Sequence, residues 1–471
     1  MKKIFLFLFA FWISGYSIAQ SDSHNLVVQS FQLHFNEGRY ELIFENFSQE
    51  MKQALPLEGT KQFLSDLKNQ AGKIDRLEFL NFQQGTYAVY KTKFERAILA
   101  INISLDNQNK INGLFIKPYE NSTQTGKKTL DELDGYPEEI RSIIFGKTKD
   151  LPNQARLSIA IIENGEVKNY GVKKIEDKIL PDENHTNLFE IGSITKVFTS
   201  SVLASLVLKN QLGLKDEINP YFDFQFKNGE KITFESLSNH TSGLPRLPEN
   251  LDLSIAENPY KNYREKELEE YLRNLIDQKK ETYGKYAYSN LGAGLLGYTL
   301  GLSQNTSFQV LLQKEIFDKY GMNQSYTSSE NLGDLLVKGL NYDGNDAANW
   351  DFDVLFGGGG IISSTQDLAK FALAQFNPSN LELELTRQPT HMINENSAIG
   401  LGWHIQTSKN KINTYWHNGG TGGYSSCIVL NVDQEDAVIV LSNVSGINQI
   451  IDELTFELLG IIRNNTSSNP N

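Results

Sequence analysis

The chain has 471 residues, a formal net charge of −13 and a single cysteine, Cys427. That length leaves room for more than one domain, and an acidic balance without a basic run argues against nucleic acid and anionic membrane surfaces as partners. One cysteine cannot form an internal disulfide, so the fold must rely on its core.

Residues 1–20, MKKIFLFLFAFWISGYSIAQ, join a basic start to an apolar run and finish with Ser17-Ile18-Ala19, a small-x-small cleavage site. The pattern predicts a secretory signal peptide removed after Ala19, and hence a secreted or periplasmic protein; the alternative is an uncleaved anchor helix. No later segment is long and apolar enough to span a membrane.

Residues 21–118 carry helical periodicity in NLVVQSFQLHF, RYELIFENFS and GTKQFLSDLKNQ, then alternate in TYAVYKTKFE, AILAINISL and KINGLFIKPY. Helices followed by a meander predict a small α+β unit. The order of elements and the phrase FNEGRYELIFENFSQEMKQALP resemble the cone-shaped NTF2-like domains, which implies a binding or spacing role. Residues 119–130, centred on ENSTQTGKK, are small and polar and read as a linker.

A larger α+β domain is expected over 131–465. LSIAIIENGEVKNYGV holds two alternating runs around Asn164-Gly165, a hairpin signal. SSCIVLNVDQEDAVIVLSNV is a second hairpin, followed by the amphipathic stretch INQIIDELTFELLGII. Pairing of these terminal hairpins gives one antiparallel sheet flanked by helices, with an all-helical subdomain between.

Three stretches in this domain carry chemistry. FEIGSITKVFT precedes VFTSSVLASLVL, an uncharged run that predicts a helix buried on most faces. Ser193 and Lys196 stand three apart at its mouth and share a face. A desolvated lysine loses affinity for its proton and can act as a base towards a hydroxyl. The plain alternative is a lysine snorkelling outward, and Ser65/Lys68 and Ser408/Lys411 match the same spacing. In YAYSNLGAGLLGYTL, Tyr288 and Asn290 point the same way if extended; Lys196 nearby is expected to lower the phenol's pKa. Otherwise they are a turn tyrosine and a capping Asn. In YWHNGGTGGYSS, glycines around Thr421 let backbone amides approach a ligand, and His417 adds a group that titrates near pH 6.5. Otherwise it is a flexible loop with a surface histidine.

Ser193-x-x-Lys196, Tyr288-x-Asn290 and His417-x-Gly419, in that order, resemble the class C β-lactamase-like serine hydrolases. So do ITFESLSNHTSGLP, EIFDKYGMNQSYT and GGGGIISSTQDLAKFA. The resemblance implies a β-lactamase/transpeptidase-like fold with Ser193 as nucleophile, Lys196 and Tyr288 sharing general-base work, and no metal or cofactor. Asn290, Asn418, Gly419 and Gly420 would bind substrate, with the Ser193 and Gly420 amides forming an oxyanion hole and His417 on the facing wall. His417 and Asn418 depart from the lysine and hydroxyl residue that usually meet a β-lactam carboxylate. That favours small esters or D-amino-acid peptides over penicillins. The expected partner is a small-molecule or peptide substrate, cell-wall fragments included. A catalytically idle ligand-binding or cell-wall-sensing module on the same fold is the alternative. No His-Glu-x-x-His or Gly-x-Ser-x-Gly motif competes, and Arg141 breaks a P-loop reading at Gly146-Lys147-Thr148.

Overall fold

The computed structural model describes residues 22–83, 87–106, 108–119, 129–252, 257–276, 278 and 282–467. The leader expected at 1–20 and most of the linker, 120–128, lie outside them. The chain divides into two compact units, residues 1–126 and 127–471.

In the first unit, helices α1 (Asp22–Glu37), α2 (Tyr40–Glu45), α3 (Gln49–Ala54) and α4 (Leu57–Ala71) precede strands β1 (Ile74–Gln83), β2 (Tyr87–Phe94), β3 (Ile98–Leu105) and β4 (Ile111–Pro118). The strands form an antiparallel meander in chain order. Register sets Ala88 opposite Ile103 and Tyr90 opposite Ile101, so all four share one face. That face buries against Phe31 and Phe35, one turn apart on α1.

The second unit is built on α5 (Glu138–Thr148), β5 (Arg156–Glu163), α6 (Thr195–Leu208), α7 (Asn290–Ser303), α8 (Thr365–Phe376), β6 (His391–Asn394), β7 (Ser397–Ile399), β8 (His404–Thr407), β9 (Asn413–Gly420), β10 (Ser425–Asn431), β11 (Asp436–Ser442) and α9 (Asn448–Ser467). Its eleven-stranded sheet runs β6-β7-β8-β9-β10-β11-β5 and continues into short strands from residues 130–181. Pairing is antiparallel except at the edge strand Leu130–Asp131. The terminal hairpins meet as expected, with Ala160 opposite Ile439.

Strands β10 and β11 are buried along their whole length, because the pleat feeds two cores. Ile428, Leu430, Ile439 and Leu441 face Phe198 and Leu203 of α6 and Leu368 of α8. Val429, Val438 and Val440 face Ile144 of α5 and Ile451, Leu454 and Leu458 of α9. Each such side chain contributes about 1.5–3 kcal/mol of burial. Between β5 and β6 the described residues are mostly helices and loops. The helical middle is tied down by a two-residue pairing of Phe189–Glu190 with Ile362–Ser363.

Candidate active site

The turn Gly192–Ile194 leads into α6 and sets Ser193 at its mouth. Gly192 has φ +51°, and a Cβ there would lie 2.7 Å from the Gly420 amide nitrogen, so both backbone and space demand glycine. Lys196 is 2 % exposed. Its Nζ lies 2.9 Å from Ser193 Oγ and donates to the Gly358 carbonyl at 2.6 Å. Burial first, and then the Arg246 charge, hold its pKa well below the usual lysine range. Lys196 therefore points into the core instead of snorkelling. Of the rival spacings, Lys68 donates to the Asn36 carbonyl at 2.9 Å and Lys411 is exposed in a turn.

Tyr288 reaches the same serine because two loops run side by side. Gly284 donates to the Thr241 carbonyl, Ala287 to His240 and Asn290 to Arg246, while the Ser289 side chain caps α7. The Tyr288 hydroxyl faces the Ser193 side chain, and Lys196 Nζ lies 4.9 Å from the tyrosine ring centroid. The expected lowering of this phenol does not occur. Burial outweighs the lowering influence of the Ser193 side chain and of the Arg246 charge and raises its pKa above the usual tyrosine value. Lys196 is not among the groups that lower it, and burial favours that amine's own unprotonated form. Asn290, the first residue of α7, donates from Nδ2 to the Tyr260 hydroxyl at 3.4 Å; its buried Oδ1 has no partner.

The opposite wall is the end of β9. Strand β8 stops opposite Trp416, so residues 417–420 present a free edge to the 192–194 turn. A Cβ on Gly419 would fall 2.1 Å from the Ile191 carbonyl and 2.9 Å from the Ser193 nitrogen. This close approach brings the Ser193 turn against the Gly419-Gly420 edge, and Asn448 holds that edge by donating to the Gly419 carbonyl at 2.6 Å.

His417 departs from expectation. It does not line the cleft, because strand alternation turns its ring inward. There it lies 5.2 Å from the His404 ring and 6.2 Å from Tyr288. Its Nδ1 bonds the carbonyl of Asn418 at 2.6 Å, and burial pushes its pKa well below the usual histidine value. A cation titrating near pH 6.5 is therefore absent from this wall. Asn418 does line the cleft, but its amide donates to Asp452 on α9 at 2.7 Å.

A cleft of about 690 Å³ opens over Ser193, with Tyr288, Asn290, Asn418, Gly419 and Gly420 in its walls. Sequence reasoning missed Arg246, Tyr260, Trp350 and His404, which complete it. Tyr260 stacks on Phe352 at 4.5 Å and meets Trp350 edge-on at 5.4 Å. Beside Ser193 these rings help close a second cavity of only about 20 Å³. Glu190, three residues before Ser193, accepts from Asn349 Nδ2 at 2.6 Å and the Trp350 amide at 3.0 Å, fixing the aromatic wall. His404 shares a 2.8 Å hydrogen bond with the Tyr286 hydroxyl, and burial lowers its pKa to about 4. The Arg246 guanidinium carbon stands 5.2 Å from the Tyr288 ring centroid. Among the described residues no group of three or more His, Cys, Asp or Glu side chains could hold a metal ion.

Residues 150–455 match the family model described as Beta-lactamase, and residues 28–114 match one described as Protein of unknown function (DUF3887). Protein flp of Staphylococcus aureus (strain COL) is 25% identical over 344 residues, covering 66% of this chain and 64% of that protein. Penicillin-binding protein 4* of Bacillus subtilis (strain 168) is 28% identical over 282 residues, covering 55% of this chain and 61% of that protein. The chain thus spans slightly under two thirds of the length of these relatives. A class C beta lactamase from Rhodobacter sphaeroides superimposes with a TM-score of 0.58 at 16% identity, covering 69% of this chain and 100% of the other; at that identity the likeness is one of fold.

Proposed function

Because the chain belongs to the beta-lactamase family, we propose that it is an exported serine hydrolase acting through an acyl-enzyme on Ser193. The observation that carries this reading is the buried Lys196 amine, 2.9 Å from Ser193 Oγ, with burial favouring its unprotonated form. Export rests on the basic, apolar and small-x-small pattern of residues 1–20.

In the proposed reaction, Ser193 Oγ attacks the substrate carbonyl carbon as its proton passes to neutral Lys196. The carbonyl electrons move onto oxygen, facing the Ser193 and Gly420 amides, each such donor being worth about 3–4 kcal/mol. Tyr288, kept as a phenol, gives its proton to the leaving group and regains one from Lys196. Water, deprotonated by the same amine, then releases the acid and returns Ser193 to its hydroxyl. Asn290, with a free Oδ1 and a bond to Tyr260, orients the substrate. His417 packs behind Tyr288 and positions it.

The acyl side is proposed to be small. A cavity of about 20 Å³ holds roughly one water or methyl group. Acetyl or D-alanyl groups fit this reading, and fused-ring penicillins do not. Measuring kcat/KM across acetyl, butyryl and octanoyl nitrophenyl esters, D-alanyl peptides and penicillins tests it. The acetyl ester is expected to lead the octanoyl ester by about tenfold or more. Equal rates across the ester series would contradict the small acyl site. A protein inert to the whole panel and to fluorophosphonate would instead be an idle binding module.

A further inference from the structure

The strand wall that should carry a cation offers a buried imidazole and a carboxamide tied to Asp452. A guanidinium stands elsewhere. Arg246 is exposed and lines the large cleft together with Ser193, while the small cavity beside Ser193 does not include it. Its backbone carbonyl is occupied by the Asn290 and Leu291 amides, which anchor the residue. Among the described residues its side chain forms no ion pair or hydrogen bond, and it rests over the Tyr288 ring at 5.2 Å.

The rest of the cleft suits an anion. No aspartate or glutamate lines it, although the chain carries 57 of them against 44 lysines and arginines. Lys196, the other cationic residue type beside Ser193, is buried and committed to Ser193 and Gly358. An unpaired arginine in an acid-free cleft of an acidic protein is a local positive focus, and its planar fork matches a carboxylate.

We propose that Arg246 is the specificity-determining residue of this cleft, recognising a carboxylate on the leaving-group side of the substrate. This rests on the acyl-enzyme reading, with the small cavity taking the acyl group and the large cleft the leaving group. Anion recognition has thus moved from the sheet edge to the loop that carries HTSGLPR, on the Tyr288 side.

The test compares 3-acetoxybenzoate with uncharged phenyl acetate as substrates that compete with fluorophosphonate labelling. Both offer the small cavity the same acetyl group; only one has a carboxylate on its leaving group. The expected result is that the carboxylate compound is favoured by about fivefold at low salt. The preference should shrink as sodium chloride is raised and disappear in Arg246→Gln. Equal potency in the wild type, or a preference that survives in Arg246→Gln, would overturn the proposal. If the wild type does not label at all, the acyl-enzyme reading falls separately. Calorimetric titration of benzoate against benzamide, in wild type and Arg246→Gln, then decides the role of Arg246 by itself: benzoate selectivity lost in the variant upholds it, and no selectivity overturns it.

Discussion

Lys196 brings an amine into the core with a serine and a carbonyl, and no carboxylate, as its bonded partners. Its folded pKa lies well below its unfolded value, so below the unfolded value the unfolded chain binds the extra proton. Stability contributed by this site therefore rises with pH from the folded pKa up to the ordinary lysine value near 10.4. It follows that Lys196→Met should raise the Tm at pH 7, by a gain of about 1–2 kcal/mol, and the gain should shrink as pH approaches 10. Thermal melts of both proteins from pH 7 to pH 10 check this; a variant less stable at pH 7 would mean the lysine is paired and charged. Ser193→Ala removes one hydroxyl at a helix entrance and should alter stability by no more than about 2 kcal/mol. Chemical denaturation measures that directly.

The junction of β9 with the turn before α6 depends on missing side chains. A methyl on Gly419 would press on the Ile191 carbonyl and the Ser193 nitrogen at 2.1 and 2.9 Å, both of them backbone atoms. Gly419→Ala should therefore part the strand from the turn and lower kcat by at least about a hundredfold through loss of the oxyanion amides. Retained kcat would show that those amides are not used. At this scale the sequence was readable where a pattern has a single physical cause. The uncharged run formed a helix buried from Val197 to Leu206, and the Asn164-Gly165 hairpin formed with both residues at positive φ, whereas the cap before α7 is Ser289 and not Asn290, which is the helix's first residue. Residues whose role comes from loop packing were not readable. Arg246, Tyr260 and Trp350 lie in stretches without periodicity, and nothing local says that Glu190 will hold Trp350 over the cleft. The inward side of His417 comes from alternation along β9 and its lowered pKa from the burial that follows, neither of which the glycine-rich stretch YWHNGGTGGYSS signals locally.

The whole molecule separates into two compact units near residue 126, and Ser193, Lys196, Tyr288 and the β9 edge all belong to the second. The first unit has its own core of Phe31, Phe35, Tyr90 and Ile101, which predicts that it folds alone. Removing residues 21–125 should leave a folded hydrolase that labels at the wild-type rate. Circular dichroism with labelling kinetics checks this, and a folded truncation that cannot label would show that the first unit completes the site. Long-range pairing was legible because both terminal hairpins have unmatched apolar faces, whereas the substrate was not, since it depends on loops. Activation of Ser193 by Lys196 is the centre of the proposed function. Mass-spectrometric mapping of a fluorophosphonate adduct tests that most directly. The adduct should fall on the peptide containing Ser193, be absent from Ser193→Ala, and form at least about a hundredfold more slowly in Lys196→Ala. An adduct on another residue, or an undiminished rate in Lys196→Ala, would contradict it.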